Sequence, residues 1–535
     1  MRFFVIGVLS HIFYFRHGEH HMCGIFWLRL FLLFPCIATV PISLLRDISV
    51  IGCLKLAISI EARYLIGLFT SILLYRISAF HRLHRYQGPY TWRMSKLFQA
   101  VDNRHFNGFR NLYAAHTKFG DFVRTGPSEL SIIDPDAILA VHSSSSRCTR
   151  AAWYSMAHPL RAIFHTRDKI EHEKRRQVWS PGFSTRSLKD YEPRIESHIS
   201  RLIQQLRRKP TEEGVNVSLW FNYFTFDVMG DVGFGQGFSM IEKGKRLDVL
   251  RILENGQKGL GVFGVVPWLF MMLTRIPNIS KEHDVFVRWC EQQILDRKSR
   301  KTDVCDIAAA LITDDRHATD KALSHQWLVG DSRILIVAGS DALASSLTFA
   351  FYYLAKDPKH ILAIREELNA ITAGTVLDAE SLRNKAAYLN AFITEVLRLW
   401  PPNPSGVLRQ TLEEGLQIGK KRLPGDITIC TPFWVLHRSP RCFAEPHNFI
   451  PDRWTSRPDL VLRKEAYMPF GHGAYACIGK QLALMEMRLM ITRLVMEFDI
   501  RFAQGEDGRR LLEESKDWFT FGLAGLMLVF SPRER

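Results

Sequence analysis

The first 80 residues form a succession of apolar blocks, too hydrophobic to be left in water and too extended to be one ordinary core element. They run over residues 3–15, 22–45 with Arg29 inside, 48–60 with Lys55 inside, and 64–75. A helix that crosses the hydrocarbon of a bilayer needs about 20 apolar residues. Block 22–45 is therefore long enough by itself, and 64–80 qualifies if Arg76 reaches the interface. At least one transmembrane helix is expected, with the number of spans open. A secretory signal peptide is the competing reading, but no small-residue cleavage site follows the first block and further apolar blocks come after it. Past Tyr75 the chain turns basic, with Arg76, His81, Arg82, His84, Arg85, Arg93 and Lys96, and the positive-inside bias places the downstream chain on the cytoplasmic face. Gly88-Pro89 is a breaker pair and an expected hinge. The division is then a membrane anchor with basic linker over 1–85 and one large domain over 86–535.

That large part should fold as a globular unit, since 47% of the 535 residues are hydrophobic and 23% charged, close to ordinary usage. The formal net charge of +16 raises nucleic acid, acidic membrane surfaces and acidic proteins as partners. Nucleic acid ranks last: the basic residues are scattered and carry neither zinc-finger spacing nor a basic-aromatic RNA-binding motif. The nine cysteines are too sparse for a disulfide framework and contain no C-x-x-C pair, which fits a reducing compartment. From about residue 90 helical periodicity dominates, over 191–206, 284–294, 360–371 and 389–399, with short strand-like runs at 130–133 and 427–430. The expected class is mainly α with a small β region.

The most informative stretch is Phe470-Gly471-His472-Gly473-Ala474-Tyr475-Ala476-Cys477-Ile478-Gly479, a glycine-rich loop feeding an apolar-periodic segment over 480–498. The glycines permit positive φ and close backbone approach to a flat ligand. Cys477 would stand at a helix start, where the dipole favours thiolate. A lone cysteine is more often a buried, inert thiol, but the glycine context changes the odds. The run resembles the haem-binding signature of the cytochrome P450 superfamily, Phe-x-x-Gly-x-Arg-x-Cys-x-Gly, through Phe470, Gly473, Cys477 and Gly479. One position departs: Tyr475 stands where the family has Arg, a partner of a haem propionate, and offers one hydroxyl in place of a charged fork.

Further landmarks come in family order. Glu395-Val396-Leu397-Arg398 is a charge pair at i, i+3. Taken alone it is a common surface pattern, repeated at Glu173/Arg176 and Glu380/Arg383. Its setting distinguishes it, because Leu399-Trp400-Pro401-Pro402 comes next and Phe449-Ile450-Pro451-Asp452-Arg453-Trp454 lies downstream. The resemblance implies a buried triad of Glu395, Arg398 and Arg453 that fixes the cysteine loop. Residues 334–354 are apolar nearly all round, like a membrane span, but Asp341 near the middle favours a buried core helix. Ala338-Gly339-Ser340-Asp341 resembles the start of the family's distal helix, yet Ala342 stands where a proton-delivering Thr is usual. That leaves Asp341, an ordered water, Ser345 or a substrate hydroxyl to relay protons. His172-x-x-x-Arg176, and Arg409 after Pro404-Ser405-Gly406, fall where the family contacts haem propionates.

The resemblance covers residues 86–535 and is nearest to fungal microsomal members. It implies haem b (iron protoporphyrin IX) held by Cys477 as axial ligand, with His172, Arg176, Arg409, Phe470, Gly471 and Tyr475 around it, and Asp341 and Ser345 as candidate proton-relay residues. A cysteine thiolate on haem iron favours O–O cleavage. The implied reaction is insertion of one oxygen atom from O2 into an apolar small molecule such as a terpenoid, polyketide or alkaloid, in secondary-metabolite biosynthesis at the endoplasmic reticulum membrane. Substrate walls are expected at Trp153, Tyr154, 260–273, 405–408 and 519–521. No G-x-G-x-x-G dinucleotide fingerprint is present, since Gly233-Phe234-Gly235-Gln236-Gly237 has the wrong spacing, so electrons must come from a separate NADPH-cytochrome P450 reductase. Two other readings stay open. One is a haem-thiolate enzyme catalysing a non-oxygenating rearrangement, dehydration or desaturation, and the other is a non-enzymatic membrane haem protein or transporter.

Overall fold

Helix α1 (Arg2–Ser10) runs on through a π turn over His11–Phe15, with α2 (Gly24–Leu45) and α3 (Val50–Ile77) next along the chain. The computed structural model describes residues 1–209, 213–276, 281–301, 304–372 and 377–533. Helix α2 buries none of its most apolar window against the protein, and α3 buries 17%; both are long and apolar enough to cross a membrane. The blocks at 48–60 and 64–75 are thus one helix, because Glu61-Ala62-Arg63 continues the helical backbone rather than breaking it. Helix α1 is shorter and packs on α3 through two glycines. A Cβ on Gly7 would lie 2.1 Å from the Tyr64 carbonyl oxygen, and one on Gly67 would lie 2.1 Å from that of Phe4. Small residues at such crossings allow backbones to approach where hydrophobic driving force between helices is weak.

The expected hinge at Gly88-Pro89 is instead docked. Arg124 N–H donates to the Gln87 carbonyl at 2.7 Å, and a Cβ on Gly88 would meet the Arg124 carbonyl at 2.1 Å. Arg124 lies in β1 (Phe122–Gly126), the edge of a five-stranded sheet with β2 (Glu129–Ile132), β3 (Thr149–Arg150), β4 (Val407–Gln410) and β5 (Thr428–Thr431). Its order is β1-β2-β5-β4-β3, with β2 and β5 parallel and the other pairs antiparallel. In the last pair Arg150 stands directly opposite Arg409.

The remainder is mostly helical. The helices that shape the site are α4 (Lys169–Trp179), α5 (Val217–Phe234), α6 (Asp248–Phe263), α7 (Pro267–Leu273), α8 (Lys281–Ser299), α9 (Lys321–Lys356), α10 (Ala387–Leu399) and α11 (Lys480–Glu497). Helix α9 is long and apolar enough to cross a membrane, but 67% of its most apolar window is buried inside the protein. It is the core helix expected of 334–354, and apolar all round because neighbours cover it on several sides. Its start is fixed by Asp320, whose side chain accepts from Leu323 N–H. Helix α5 lies against it and is likewise buried along nearly its whole length.

Candidate active site

The cysteine loop is shaped by its glycines. Gly471 and Gly473 adopt φ of +66° and +64°, and a Cβ on Gly473 would sit 2.3 Å from the His142 carbonyl oxygen, so only glycine fits there. Cys477 N–H donates to the Phe470 carbonyl at 2.8 Å and closes the loop. Helix α11 begins at Lys480 with Gly479 as its N-cap, which places Cys477 three residues before the first turn. The thiol opens onto a cavity of about 940 Å³ while protein encloses it on its other sides. Burial pushes the thiol pKa up, opposed by the Gly479 amide and by the charges of Arg176 and Lys480.

Behind the loop stands the expected triad, with all three side chains fully buried. Arg398 donates to both Glu395 oxygens at 2.9 and 2.8 Å, and Arg453 Nε to Oε1 at 2.9 Å. Ile450 N–H and Trp454 Nε1 add two more bonds to the same carboxylate, each at 2.9 Å. Burial works to raise the Glu395 pKa, but the hydrogen bonds and charges of Arg398 and Arg453 outweigh it and the net is lowered. The free guanidinium N–H groups hold carbonyls of the 437–460 segment, among them those of His437, Ala444 and Asn448. His437, not singled out from sequence, joins this network to the cysteine loop. Its Nδ1 lies 2.8 Å from the Arg398 carbonyl, and its Nε2 accepts from Met468 N–H, two residues before Phe470.

At one side of the cavity His172, Arg176, Arg409 and Tyr475 come together. The His172 ring meets the Tyr475 ring edge-on at 4.6 Å, Arg409 lies 4.9 Å from the Tyr475 centroid, and Arg176 Nη1 donates to the Ala476 carbonyl at 2.7 Å. Tyr475 Oη donates to the Arg167 carbonyl at 3.3 Å. The pattern missed Arg150, which lies 4.5 Å from the same Tyr475 ring and whose Nε is buried without a partner. Burial lowers the Arg150 pKa to about 10 and that of His172 to about 3, the latter aided by Arg150, Arg176 and Arg409. Among the described residues none of these three arginines, two buried and Arg176 half-buried, has a carboxylate within ion-pair distance, whereas buried Arg175, Arg297, Arg398 and Arg453 do.

On the opposite wall, Ala338, Gly339, Ala342 and Leu343 of α9 line the cavity. Asp341 and Ser345 do not. The Asp341 carboxylate accepts from Gln257 Nε2 of α6 at 2.7 Å and lies 3.4 Å from Asn222 Nδ2 of α5, and burial raises its pKa to about 6. Ser345 Oγ donates back to the Ala342 carbonyl at 2.9 Å. Its neighbour Ser346 makes the same bond at 2.9 Å and does line the cavity. Trp153, Tyr154, Leu260, Phe270, Val407 and Phe519 from the expected walls line it as well, with the Trp153 and Phe519 rings stacked at 5.1 Å.

A family model described as Cytochrome P450 matches residues 87–523. The chain belongs to the cytochrome P450 family. It is 37% identical over 531 residues to cytochrome P450 monooxygenase notG' of Aspergillus versicolor, covering 99% of this chain and 97% of that one. It is 35% identical over 549 residues to tryprostatin B 6-hydroxylase of Aspergillus fumigatus, covering 99% and 95%. In fold it is similar to the retinoic acid-bound cyanobacterial CYP120A1, with a TM-score of 0.66 at 22% identity over 81% of this chain and 96% of that one. The cytochrome P450DA haem domain gives the same TM-score at 18% identity over 80% and 94%. The chain is thus an oxidoreductase of the cytochrome P450 monooxygenase type, a family of haem-thiolate enzymes, and its relatives are fungal monooxygenases. The non-enzymatic reading and the transporter reading are set aside by this membership. The residues present fit the family's group: among the described residues Cys477 is the one cysteine lining the cavity, glycines lie beside it, and Arg150, Arg176 and Arg409, which have no carboxylate within ion-pair distance, line the same cavity, where an anionic edge would neutralise them.

Proposed function

We propose that this cytochrome P450 holds haem b through the Cys477 thiolate and uses it to insert one atom of O2 into an apolar small molecule. The observation that carries the reading is the presence, in one cavity, of that sulfur together with Arg150, Arg176 and Arg409, none of which has a carboxylate within ion-pair distance among the described residues. Among the described residues no cluster of three or more His, Cys, Asp or Glu could hold a bare metal ion, so an iron at Cys477 needs a non-protein ligand set. Thiolate-bound haem supplies O2 activation with two electrons, one oxygen going to substrate and the other to water. His172, Phe470, Gly471 and Tyr475 complete the cradle, and the Glu395–Arg398–Arg453 triad with His437 holds the loop in register.

The chain's own residues then exclude water, orient the substrate and supply protons. The aromatic wall of Trp153, Phe164 and Phe519 makes the cavity mostly apolar and suits a fused or aromatic secondary metabolite. With Ala342 in the usual threonine place, Asp341, whose pKa burial raises to about 6, is mostly ionised at pH 7 but takes up a proton more readily than an ordinary carboxylate, and Ser346, rather than Ser345, lines the cavity into which a proton would pass. Residues 1–85 anchor the enzyme, with α2 and α3 as spans and residues 86–535 on the cytoplasmic face of the endoplasmic reticulum, where the net charge of +16 suits docking of an acidic NADPH-cytochrome P450 reductase.

The test is product analysis with isotopically labelled O2, using purified enzyme, reductase and candidate indole alkaloids, chosen because tryprostatin B hydroxylases are among the relatives. One labelled oxygen in the product is expected. Turnover without label would replace the proposal by the non-oxygenating reading that Ala342 favours.

A further inference from the structure

A second set of polar groups is built into the cavity wall away from Cys477. Asp331 of α9, fully buried, accepts from Ile163 N–H at 2.8 Å, Arg175 Nε at 2.6 Å and Trp179 Nε1 at 2.9 Å. Gly330 beside it is so close to the 158–168 loop that a Cβ would lie 1.9 Å from the Arg161 carbonyl oxygen. Arg150 Nη1 binds the same loop from the other side, at the Ile163 and Thr166 carbonyls. The loop is therefore fixed on α9, and two residues beyond each end of the Ile163–Asp331 bond stand His165 and Arg333, both lining the cavity.

Among the described residues neither group has its hydrogen-bonding capacity filled. His165 Nδ1 is enclosed without a hydrogen-bond partner. Arg333 has one partner among the described residues, His283 of α8, with Nη1 to Nε2 at 3.4 Å, and no carboxylate within ion-pair distance. The other ring nitrogen of His283 lies 3.7 Å from Asp284, an arrangement that leaves Nε2 to accept from Arg333, whose remaining guanidinium N–H groups have no acceptor among the described residues. Burial lowers the pKa of both histidines and the charge of Arg333 lowers them further, so both rings are neutral at pH 7. The enclosed His165 Nδ1 is costly unless a ligand supplies a partner, and the half-buried Arg333 lines the same cavity with N–H groups available to that ligand.

We infer that Arg333, His165 and His283 form a subsite for an oxygen acceptor on the substrate, a carbonyl or a carboxylate. This deepens the proposed function and rests on it. Arg333 precedes Ala342 by nine residues, about 13 Å of helix, so the recognised group lies at the end of the molecule remote from the carbon that is oxidised. The subsite gives an otherwise apolar cavity a fixed orientation for its guest: Arg333 and His165 hold the acceptor, and the aromatic wall takes the apolar body.

The test uses full-length holoenzyme in detergent and three matched probes: biphenyl-4-carboxylate, biphenyl-4-carboxamide and 4-methylbiphenyl. Affinities are read from tryptophan fluorescence quenching, in which Trp153 reports from the wall, and from the optical shift of the haem. Carboxylate, carboxamide or both should bind at least about tenfold tighter than methylbiphenyl. Preference for the carboxylate alone identifies a charged acceptor, and equal preference identifies hydrogen bonding to a carbonyl. Arg333→Met and Arg333→Gln should abolish the preference while leaving methylbiphenyl binding within about twofold. Equal binding of all three probes to the wild type, or a preference that survives both substitutions, would overturn the subsite. Each protein is first checked by its ferrous carbon-monoxide spectrum: a wild type without the thiolate-type band overturns the underlying function, whereas a normal band with no preference overturns the subsite alone.

Discussion

Glu395 accepts five hydrogen bonds inside a fully buried network, so Arg453→Ala removes one of these bonds and one of the carboxylate's two counter-charges and leaves the Ala444, Glu445 and Leu460 carbonyls without this donor. A loss of about 3 to 5 kcal/mol is expected, read as a lowered thermal midpoint; a midpoint equal to wild type would contradict the role given to the triad. The folded pKa of Glu395 is below its ordinary value of 4.5, so the network's stabilisation is present above about that pH and fades as the pH falls through the folded value. The difference between wild type and Arg453→Ala should therefore narrow in acid. Asp341 runs the other way. Its folded pKa of about 6 against 3.8 means that ionisation opposes folding, and the penalty grows as the pH rises from about 4 to 6. Asp341→Asn should raise stability at pH 7 by up to about 2 to 3 kcal/mol and flatten that part of the pH profile; a variant that is less stable and equally pH-dependent would contradict the assignment. Cys477, Glu395 and Arg398 were legible in sequence because each sits in a short pattern set by local backbone geometry. Arg150 and His437 were not, since one meets Tyr475 only through strand pairing with Arg409 and the other links segments distant in the chain.

At the level of elements, periodicity located the helices over 191–206, 284–294, 360–371 and 389–399, and the structure extends each by a few residues to Thr185–Arg207, Lys281–Ser299, Lys359–Thr372 and Ala387–Leu399. The longest extensions, at the start of the first and the end of the second, are rich in polar residues that apolar spacing does not register; Ser184 caps the first of them through Ser187 N–H. Apolar content alone could not separate membrane helices from α9, because both are hydrophobic all round; what distinguishes α9 is the protein packed around it. In the proposed function α2 and α3, joined by residues 46–49, are two crossings, which would put that short loop on the opposite face from the catalytic domain. An epitope inserted after Asp47 should survive protease treatment of sealed microsomes that digests the catalytic domain, and become cleavable once detergent is added. Simultaneous loss of epitope and domain before detergent would mean that α2 and α3 do not form a spanning pair.

The molecule as a whole is organised around one cavity whose walls come from all parts of the catalytic domain: the 150–165 segment, α6 and α7, α9, the β4 strand and the cysteine loop. Eight of its arginines differ by partner and place. Arg175, Arg297, Arg398 and Arg453, all buried, are matched by carboxylates and hold the fold together, while Arg150 and Arg409, buried, and Arg176 and Arg333, half-buried, line the cavity without a carboxylate among the described residues. Lack of a carboxylate is not by itself the mark of the cavity, since buried Arg124, Arg438 and Arg488 also lack one among the described residues and lie outside it on carbonyls or Asn390; what singles out the four is that they line one cavity, which sequence does not show. In the proposed function the chemistry of the cavity depends above all on a sulfur-to-iron bond at position 477. The most direct measurement of that bond is the ferrous carbon-monoxide difference spectrum of the purified full-length protein beside Cys477→Ala. The wild type should show the strongly red-shifted band that a thiolate ligand gives and the variant should lose it; an identical band in both proteins would contradict the claim.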